Sequence, residues 1–371
     1  MKKNLFMLLS ALAIVSLMLA ACATPTTEAP KPTEAPKPTA VPPTVAPPTA
    51  VPPTVAPTAK PFRIGLVTDV GKVDDKSFNQ SAWEGAQCGG KETGGTTKYI
   101  ETTDPKDYGK NIAQFADEGY DVIVTVGFAL GEDTIKAAAK YPKVKFIGVD
   151  QFQEKATAGV AGLIFPEDEA GFQAGVVAAM MSKSGQIGAV LGTDVVPPVW
   201  RFGEGYRAGA VWAKKDTKVN IIYHNDVGFD KTFTDPEWGK TTALSMIDKG
   251  ADVIFGAGGK TGNGALLGVA QSNKALAIGV DTDQYLTVPE AKAVLLTSAM
   301  KLIVPGTCDL IKAVKAGTFK DGNVNGKVGL APFHDVESKV TAEAKAKLDE
   351  AQKGLTAGTL KTNVAPAKPA K

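Results

Sequence analysis

The sequence contains little cysteine and histidine, and its charges nearly cancel. Three cysteines and two histidines occur among 371 residues. Metal sites and imidazole-assisted nucleophiles need such residues in clusters, and neither His224 nor His334 has one nearby, so structural roles are expected for both. Lysine and arginine number 41 against 39 aspartate and glutamate residues, with no basic run, so nucleic acid is not an expected partner. No metal or other cofactor is expected.

The common catalytic motifs are also missing. The sequence has no Gly-x-Ser-x-Gly nucleophile elbow and no Walker loop, and the glycines from Gly256 to Gly264 resemble a phosphate loop only weakly. No histidine lies beside a candidate nucleophile. We therefore expect that the chain is not an enzyme.

One long apolar run is present, and it lies at the N-terminus. Two lysines precede it, as in export signals, and it ends at Leu19-Ala20-Ala21-Cys22. This tetrapeptide resembles the lipobox of bacterial lipoproteins, in which the cysteine is acylated and becomes the new N-terminus. We expect residues 1–21 to be a signal peptide and Cys22 to anchor the chain on the extracytoplasmic face of the cell membrane. The alternative is an ordinary cleaved signal with an unmodified Cys22.

Residues 22–61 are expected to be a disordered tether. More than half of the chain's 24 prolines lie here, and from 23 to 61 there is no aromatic residue. Two short units are repeated, Thr27–Pro32 as Thr33–Pro38 and Thr39–Pro47 as Thr49–Pro57. Proline-rich chain extends by about 3.1 Å per residue, so the tether reaches on the order of 100 Å from the bilayer.

The rest of the chain alternates between short β-rich runs and stretches with helical periodicity, which is typical of parallel sheets flanked by helices. Ten strands are predicted, at 62–68, 98–102, 121–127, 144–150, 160–165, 186–192, 219–223, 252–258, 275–281 and 294–298. Roughly 300 residues exceed what one core usually takes. We therefore expect an α/β protein with two Rossmann-like lobes joined by a hinge.

Polar or glycine residues repeatedly follow the predicted strands. Examples are Asp69, Asp150, the pair Gly258-Gly259, and Asp281. Ligands of open α/β sheets bind at the carboxyl ends of the strands. Two sheets that face each other across a hinge would form a cleft, and its closure would remove a ligand from water.

Several segments resemble the basic membrane protein family of substrate-binding lipoproteins, which includes the purine nucleoside receptors of ABC importers. The clearest is Val67-Thr68-Asp69 followed by the run from Asp75 to Gln80. Further matches follow in the same order: Tyr141 to Phe146 with Asp150, Phe202 to Gly209, Gly250 to Ile254 with the glycines that follow, Ile278 to Gln284, and Thr297-Ser298 with Lys301. The resemblance covers nearly everything after Pro61. It implies a type I periplasmic-binding-protein fold, a nucleoside ligand, an ABC permease as partner, and a monomer.

The lobe boundaries are expected as follows. The N-terminal lobe comprises 62–165 plus about 303–325, the C-terminal lobe comprises 166–302 plus about 326–354, and 355–371 is a flexible tail. Cys88 and Cys308 lie far apart in sequence and are expected to be two separate buried thiols, with a disulfide between them as the alternative.

The resemblance also implies which residues bind the ligand. Phe78 and Phe202 would stack on opposite faces of the base, with Trp200 as the alternative to Phe202. The residues expected to read the base edge are Asp69, Asn79 and Asp150. Those expected to hold the ribose are Gly258, Gly259, Asp281 and Lys301, and Asp283 is a nearby substitute for the Asp281–Lys301 pair. Capping, core packing and a surface ion pair are the ordinary structural alternatives for these positions.

Three other functions are kept as alternatives. A sugar-binding protein of the same fold would also use aromatic and carboxylate side chains, but two phenylalanines favour a flat base. A sensor lipoprotein that presents its ligand to a membrane receptor would have the same site. The third is a nucleoside-processing enzyme, which the missing catalytic motifs disfavour.

Overall fold

The structure is a computed structural model that describes residues 60–370. The predicted signal peptide, Cys22 and all of the predicted tether except its last two residues lie outside the described part. Within residues 60–370, no helix combines the length and the apolar character needed to cross a bilayer.

The described residues contain twelve strands. They are β1 (Arg63–Val67), β2 (Thr96–Ile100), β3 (Val122–Val126), β4 (Lys145–Val149), β5 (Val160–Ile164), β6 (Gln186–Leu191), β7 (Lys218–Tyr223), β8 (Val253–Ala257), β9 (Leu276–Asp281), β10 (Leu295–Lys301), β11 (Gly322–Asn325) and β12 (Val328–Leu330).

Eleven α-helices connect or flank these strands over the same residues. They are α1 (Phe78–Thr93), α2 (Tyr108–Asp117), α3 (Gly131–Lys140), α4 (Glu167–Met181), α5 (Pro197–Ala213), α6 (Phe229–Thr232), α7 (Pro236–Asp248), α8 (Gly259–Ser272), α9 (Gln284–Thr287), α10 (Ile303–Ala316) and α11 (Ala342–Thr356).

The strands form two six-stranded sheets with equivalent orders. The first sheet runs β11-β5-β4-β3-β1-β2 and is parallel throughout, and the second runs β12-β10-β9-β8-β6-β7 with only β12 antiparallel. This confirms the predicted α/β fold with two Rossmann-like sheets. Ten of the twelve strands coincide with the predicted ones, with shifts of a few residues. β11 and β12 were not predicted.

Helices cover both faces of each sheet, which explains the continuous apolar sequences of the central strands. All five residues of β3 (VIVTV) and of β8 (VIFGA) are buried. Helices α1 and α10 cover one face of the first sheet, and α2 and α3 cover the other. Helices α4, α5 and α11 cover one face of the second sheet, and α7 and α8 cover the other. We call each sheet with its helices the first and the second lobe.

The chain passes between the two sheets at three places. It crosses after β5, returns after β10, and crosses again between β11 and β12. Because α10 packs on α1, the chain after β10 belongs to the first lobe until β11 ends. The three crossings lie side by side at one edge of the sheets, where β11, β5, β10 and β12 are found.

Helices α4 and α5 pack unusually closely. A Cβ atom on Gly209 of α5 would lie 1.9 Å from the carbonyl oxygen of Phe172, and one on Gly175 of α4 would lie 2.0 Å from that of Tyr206. Only glycine allows such backbone contact. The spacing of glycines in Phe202–Gly209 therefore fixes α5, and with it Phe202, against the second lobe.

Cys88 and Cys308 form a disulfide, so the expectation of two separate thiols was wrong. Their Cα atoms lie 5.4 Å apart, and the bond joins α1 to α10 across 220 residues of sequence. The packing of α1 on α10 brings the two cysteines together, and no spacing pattern in the sequence reveals it. Such a bond is typical of proteins in oxidising compartments.

The predicted tail, 355–371, begins inside α11, which extends to Thr356. Beyond the helix the chain continues along the second lobe. Thr362 donates a hydrogen bond to Asp168 at the start of α4, and Lys368 pairs with Asp194 at 2.6 Å. These contacts hold the segment against the lobe instead of leaving it free.

Candidate functional site

A cavity lies between the carboxyl ends of the two sheets. The empty space between its walls, with the open solvent at its mouth included, is about 760 Å³. Both lobes contribute to its walls. All nine residues that the sequence singled out line it: Asp69, Phe78, Asn79, Asp150, Phe202, Gly258, Gly259, Asp281 and Lys301.

The ammonium of Lys301, the last residue of β10, is buried in the wall. Its Nζ donates to Asp150 Oδ2 at 2.5 Å and lies 3.7 Å from Asp281 Oδ1. Burial opposes the charge on this ammonium, but the carboxylates of Asp150, Asp281 and Glu167 outweigh burial and raise the pKa of Lys301 to about 12. Lys301 therefore stays charged in neutral solution.

The two aspartates beside Lys301 occupy equivalent places in the two lobes. Asp150 directly follows β4 and Asp281 ends β9, and these strands have the same position in their sheets. Both residues have a left-handed backbone, with φ of 61° and 64°. Such strain in residues other than glycine is concentrated at functional sites. Asp150 was predicted to read the base edge, whereas in the structure its carboxylate pairs with Lys301.

Aromatic rings surround the same ammonium. Nζ of Lys301 lies 4.5 Å from the ring centroid of Phe78, 5.5 Å from that of Phe165 and 5.8 Å from that of Phe202. Phe78 is the first residue of α1 in the first lobe, and Phe202 lies in α5 of the second lobe. Two rings from different lobes thus face one cavity.

Asn79 is held in one orientation by its neighbours. Its Nδ2 donates to Asp69 Oδ1 at 3.1 Å and to Asp75 Oδ2 at 3.2 Å, since only the amide nitrogen can donate to carboxylates. Among residues 60–370, neither its buried Oδ1 nor the buried Oδ1 of Asp150 has a hydrogen-bond partner. The wall therefore offers unpaired acceptors, which suit a ligand rich in N–H or O–H donors.

Two carboxyl groups of this wall are strongly desolvated. Burial raises the pKa of Asp69, against hydrogen bonds from Gly71 and Asn79 that lower it. Burial also raises the pKa of Asp75 to about 6, although backbone N–H groups at the start of α1 donate to it. Asp75 thus accepts hydrogen bonds from the first N–H groups of the helix that carries Phe78, and it was not among the residues predicted to bind the ligand.

The glycines at the start of α8 are required by the backbone. Gly258 has φ of 153°, and a Cβ there would lie 2.7 Å from the backbone nitrogen of Gly192. Gly259 has φ of 55°. Close packing of β8 on β6 therefore explains Gly258 on its own, and the turn also places both residues in the cavity wall.

Three further phenylalanines line the cavity and were not selected from the sequence. Phe128 follows β3 and is 45% exposed, and the strand-end rule that identified Asp69 would have found it. Phe229 and Phe233 lie in the connection from β7 to α7, with ring centroids 5.8 Å apart. No strand-end or periodicity signal marks these two.

The remaining candidates lie outside the cavity wall. Trp200, the alternative to Phe202, stacks on Tyr223. Asp283 caps α9 and lies 2.7 Å from Nε2 of His334. His224 is fully buried and stacks on Trp238. Over residues 60–370, no group of three or more His, Cys, Asp and Glu side chains is arranged to hold a metal.

Two helix-flanked sheets that enclose a cavity at their carboxyl ends are the architecture of solute-binding proteins. The chain is an ABC transporter substrate-binding protein. Residues 63–337 match the family described as Bmp, ABC transporter substrate-binding protein PnrA-like, and the chain belongs to this family. This confirms the resemblance drawn from the sequence. The family and the fold are those of transport proteins, and membership implies a ligand and a permease partner.

Known relatives agree with this assignment. The chain is 34% identical over 312 residues to the ABC transporter nucleoside-binding protein BmpA of Lactococcus lactis, covering 77% of this chain and 86% of that protein. It is 34% identical over 275 residues to an uncharacterised lipoprotein of Pyrococcus abyssi, covering 71% and 66%.

A solved structure also resembles the fold. The solute-binding protein of an ABC transporter system from Aeropyrum pernix superposes with a TM-score of 0.74 at 25% identity, covering 81% of this chain and 93% of that one. The two-lobed architecture is therefore shared with a protein of the same transport class.

Proposed function

We propose that the protein binds a nucleoside, with a purine base, between its lobes and delivers it to an ABC importer. Phe78 and Phe202 stack on the base, and Asp69 and Asn79 accept hydrogen bonds from its edge. Asp281, Lys301 and the turn at Gly258-Gly259 hold the ribose, and Asp150 supports Lys301.

The observation that carries this proposal is that aromatic rings and buried oxygen atoms without hydrogen-bond partners among residues 60–370 occur in the wall of the same cavity. Rings from both lobes suit a flat heterocycle, whose stacking on an aromatic side chain contributes about 1–3 kcal/mol. Buried Oδ1 atoms of Asn79 and Asp150 suit the N–H and O–H donors of a nucleoside. The relative in Lactococcus lactis carries the name of a nucleoside-binding protein, which supports the same reading.

We further infer that ligand binding closes the lobes about the three crossings between the sheets. The segments 62–165 with about 303–325, and 166–302 with about 326–354, would move as two bodies. A ligand that contacts both lobes favours the closed form by its differential affinity for that form. The permease would then recognise the closed protein.

We also propose that the protein is exported and held by a lipid on Cys22 as a monomer. The apolar run before Cys22 and the lipoprotein name of the Pyrococcus abyssi relative support this. The proline-rich segment 22–61 would be the tether that lets the binding lobes reach the permease.

A ligand panel tests the proposed substrate. The chain from Cys22 to Lys371, with Cys22→Ser to prevent acylation, is heated with purine nucleosides, pyrimidine nucleosides, free bases, ribose and galactose. We expect purine nucleosides to raise the melting temperature most, with one-to-one binding in calorimetry and no turnover. Stabilisation by a hexose alone would favour the sugar-binding alternative, and product formation would favour an enzyme.

A further inference from the structure

Side chains of the second lobe donate hydrogen bonds to the loop that precedes α1. Nδ2 of Asn263 in α8 donates to the carbonyl oxygen of Asp75 at 2.7 Å. The carbonyl oxygen of Lys76 accepts two hydrogen bonds, from Nε2 of Gln284 at 3.2 Å and from Oγ1 of Thr287 at 2.8 Å. Both carbonyls belong to the first lobe, so these contacts cross the cleft.

The three donor side chains, of Asn263, Gln284 and Thr287, do not line the cavity. They form a unit, because Nε2 of Gln284 also donates to Oδ1 of Asn263 at 2.7 Å. Gln284 is fully buried, and its Oε1 accepts from the backbone nitrogen of Val280, next to Asp281 in the cavity wall. These three side chains are thus connected to the cavity wall through hydrogen bonds, but they do not contact the space where a ligand would bind.

The loop that accepts these hydrogen bonds is followed directly by residues next to the cavity. Ser77 follows Lys76 and donates to Oδ2 of Asp281 across the cleft at 2.7 Å, and Phe78 comes next. Lys76 has a left-handed backbone, with φ of 61°, although its side chain is exposed. A strained residue persists where its surroundings hold it, and here the contacts are made by its carbonyl oxygen.

We propose that Asn263, Gln284 and Thr287 form a closure clasp, a set of positioning residues that hold the lobes together and so set ligand affinity from outside the cavity. The inference rests on the proposed function, because it concerns the closed form that holds the nucleoside. If only the clasped form binds tightly, the apparent dissociation constant rises as the clasped fraction falls.

Two variants test the clasp. Thr287→Val removes one hydrogen-bond donor at nearly constant side-chain shape. The double variant Asn263→Ala/Thr287→Val removes the hydrogen bonds to the carbonyl groups of Asp75 and Lys76 that these two side chains make, and it keeps Gln284. Thr241→Val is the matched control, since its hydroxyl donates only within α7 of the same lobe. One neutral hydrogen bond corresponds to about a five-fold change in an equilibrium constant.

We expect the double variant to bind guanosine at least ten-fold more weakly, with a faster dissociation rate. Its preference for guanosine over 2′-deoxyguanosine should not change, because no ligand contact is removed. Small-angle scattering of the ligand-free double variant should give a larger radius of gyration than the wild type. Thr287→Val should weaken guanosine binding about five-fold, with a smaller increase in the radius of gyration, and Thr241→Val should change neither quantity.

An unchanged affinity and radius in the double variant would overturn the clasp. Weaker binding with a lower melting temperature but an unchanged radius would also overturn it, since this is ordinary destabilisation. If the double variant does not fold, the affinity and the radius of gyration of Thr287→Val are compared with those of the wild type and Thr241→Val instead. If the wild type binds no nucleoside, the proposed function fails, and the radii of the ligand-free proteins still decide whether the clasp exists.

Discussion

Lys301 shows how single residues join the two lobes. Its ammonium contacts Asp150, which follows a strand of the first sheet, and lies near Asp281, which ends a strand of the second. A buried charge is tolerated only when it is paired, so each of these three residues depends on the others. A ligand hydroxyl placed here would meet charged partners from both lobes.

Phe78 is the residue whose removal should weaken binding most directly. Phe78→Ala should weaken nucleoside affinity by about 1–3 kcal/mol, which is about 5- to 150-fold, because one stacking face is lost. Calorimetry measures the affinity, and the melting temperature shows that the fold survives. Phe152→Ala, at a phenylalanine that is 65% exposed and outside the cavity, is the control. Equal affinity in Phe78→Ala and wild type would remove Phe78 from the site.

Glu167 should make stability depend on pH. Burial and the nearby Asp150 raise the pKa of Glu167 to about 8, although Arg201 lies 3.0 Å away. The folded state then keeps a proton that the unfolded chain releases near its ordinary value of 4.5. Between these values the free energy of unfolding falls as pH rises, by up to about 1.4 kcal/mol per pH unit, and above pH 8 this contribution is flat.

Replacing Glu167 tests this dependence. Glu167→Gln should make the fall in unfolding free energy between pH 5.5 and pH 8 less steep, as measured by urea denaturation, and the raised pKa of Asp75, about 6, should account for part of the fall that remains. Glu343→Gln, at an exposed position in α11, should leave the slope as in the wild type. If Glu167→Gln shows the wild-type slope, Glu167 is already ionised in this range.

Residue identities in the site could be predicted from the sequence, and their pairings could not. Strand-end positions and family resemblance marked nine of the residues that line the cavity. The bonds from Lys301 to Asp150 and from Ser77 to Asp281 join residues about 150 and 200 positions apart. They depend on how the lobes meet, which no local pattern encodes. Phe229 and Phe233 were missed because their loop carries no strand-end signal.

At the scale of elements, the contact of α4 with α5 sets the position of Phe202. Gly209→Ala should destabilise the protein by at least about 1–3 kcal/mol, because the added methyl group would overlap the carbonyl oxygen of Phe172. Chemical denaturation measures the loss. Gly329→Ala in β12 is the control, since a Cβ there would meet no atom of residues 60–370 within 4 Å. Equal stability of both variants would show that α4 and α5 can separate without cost.

Long buried elements could be predicted, and short edge elements could not. β3 and β8 are fully buried, and their nearly continuous apolar runs were enough to predict them. β11 and β12 have only four and three residues, lie at sheet edges, and show no burial pattern. The disulfide was missed for a similar reason, because the contact of α1 with α10 is a tertiary feature.

At the scale of the whole molecule, chain length and strand count predicted two sheets but not the closed arrangement. Hydrogen bonds from α8 and α9 to the loop before α1 hold this arrangement together. They involve main-chain carbonyl groups, which every residue has. These hydrogen bonds therefore leave no pattern in the sequence, and only the folded chain shows that they cross the cleft.

The position of the base in a crystal grown with a purine nucleoside tests the central claim most directly. We expect density for the base between the rings of Phe78 and Phe202, with the ribose against Lys301 and Asp281. Density for the nucleoside outside this slot, or a hexose that displaces it from the cavity, would contradict the claim.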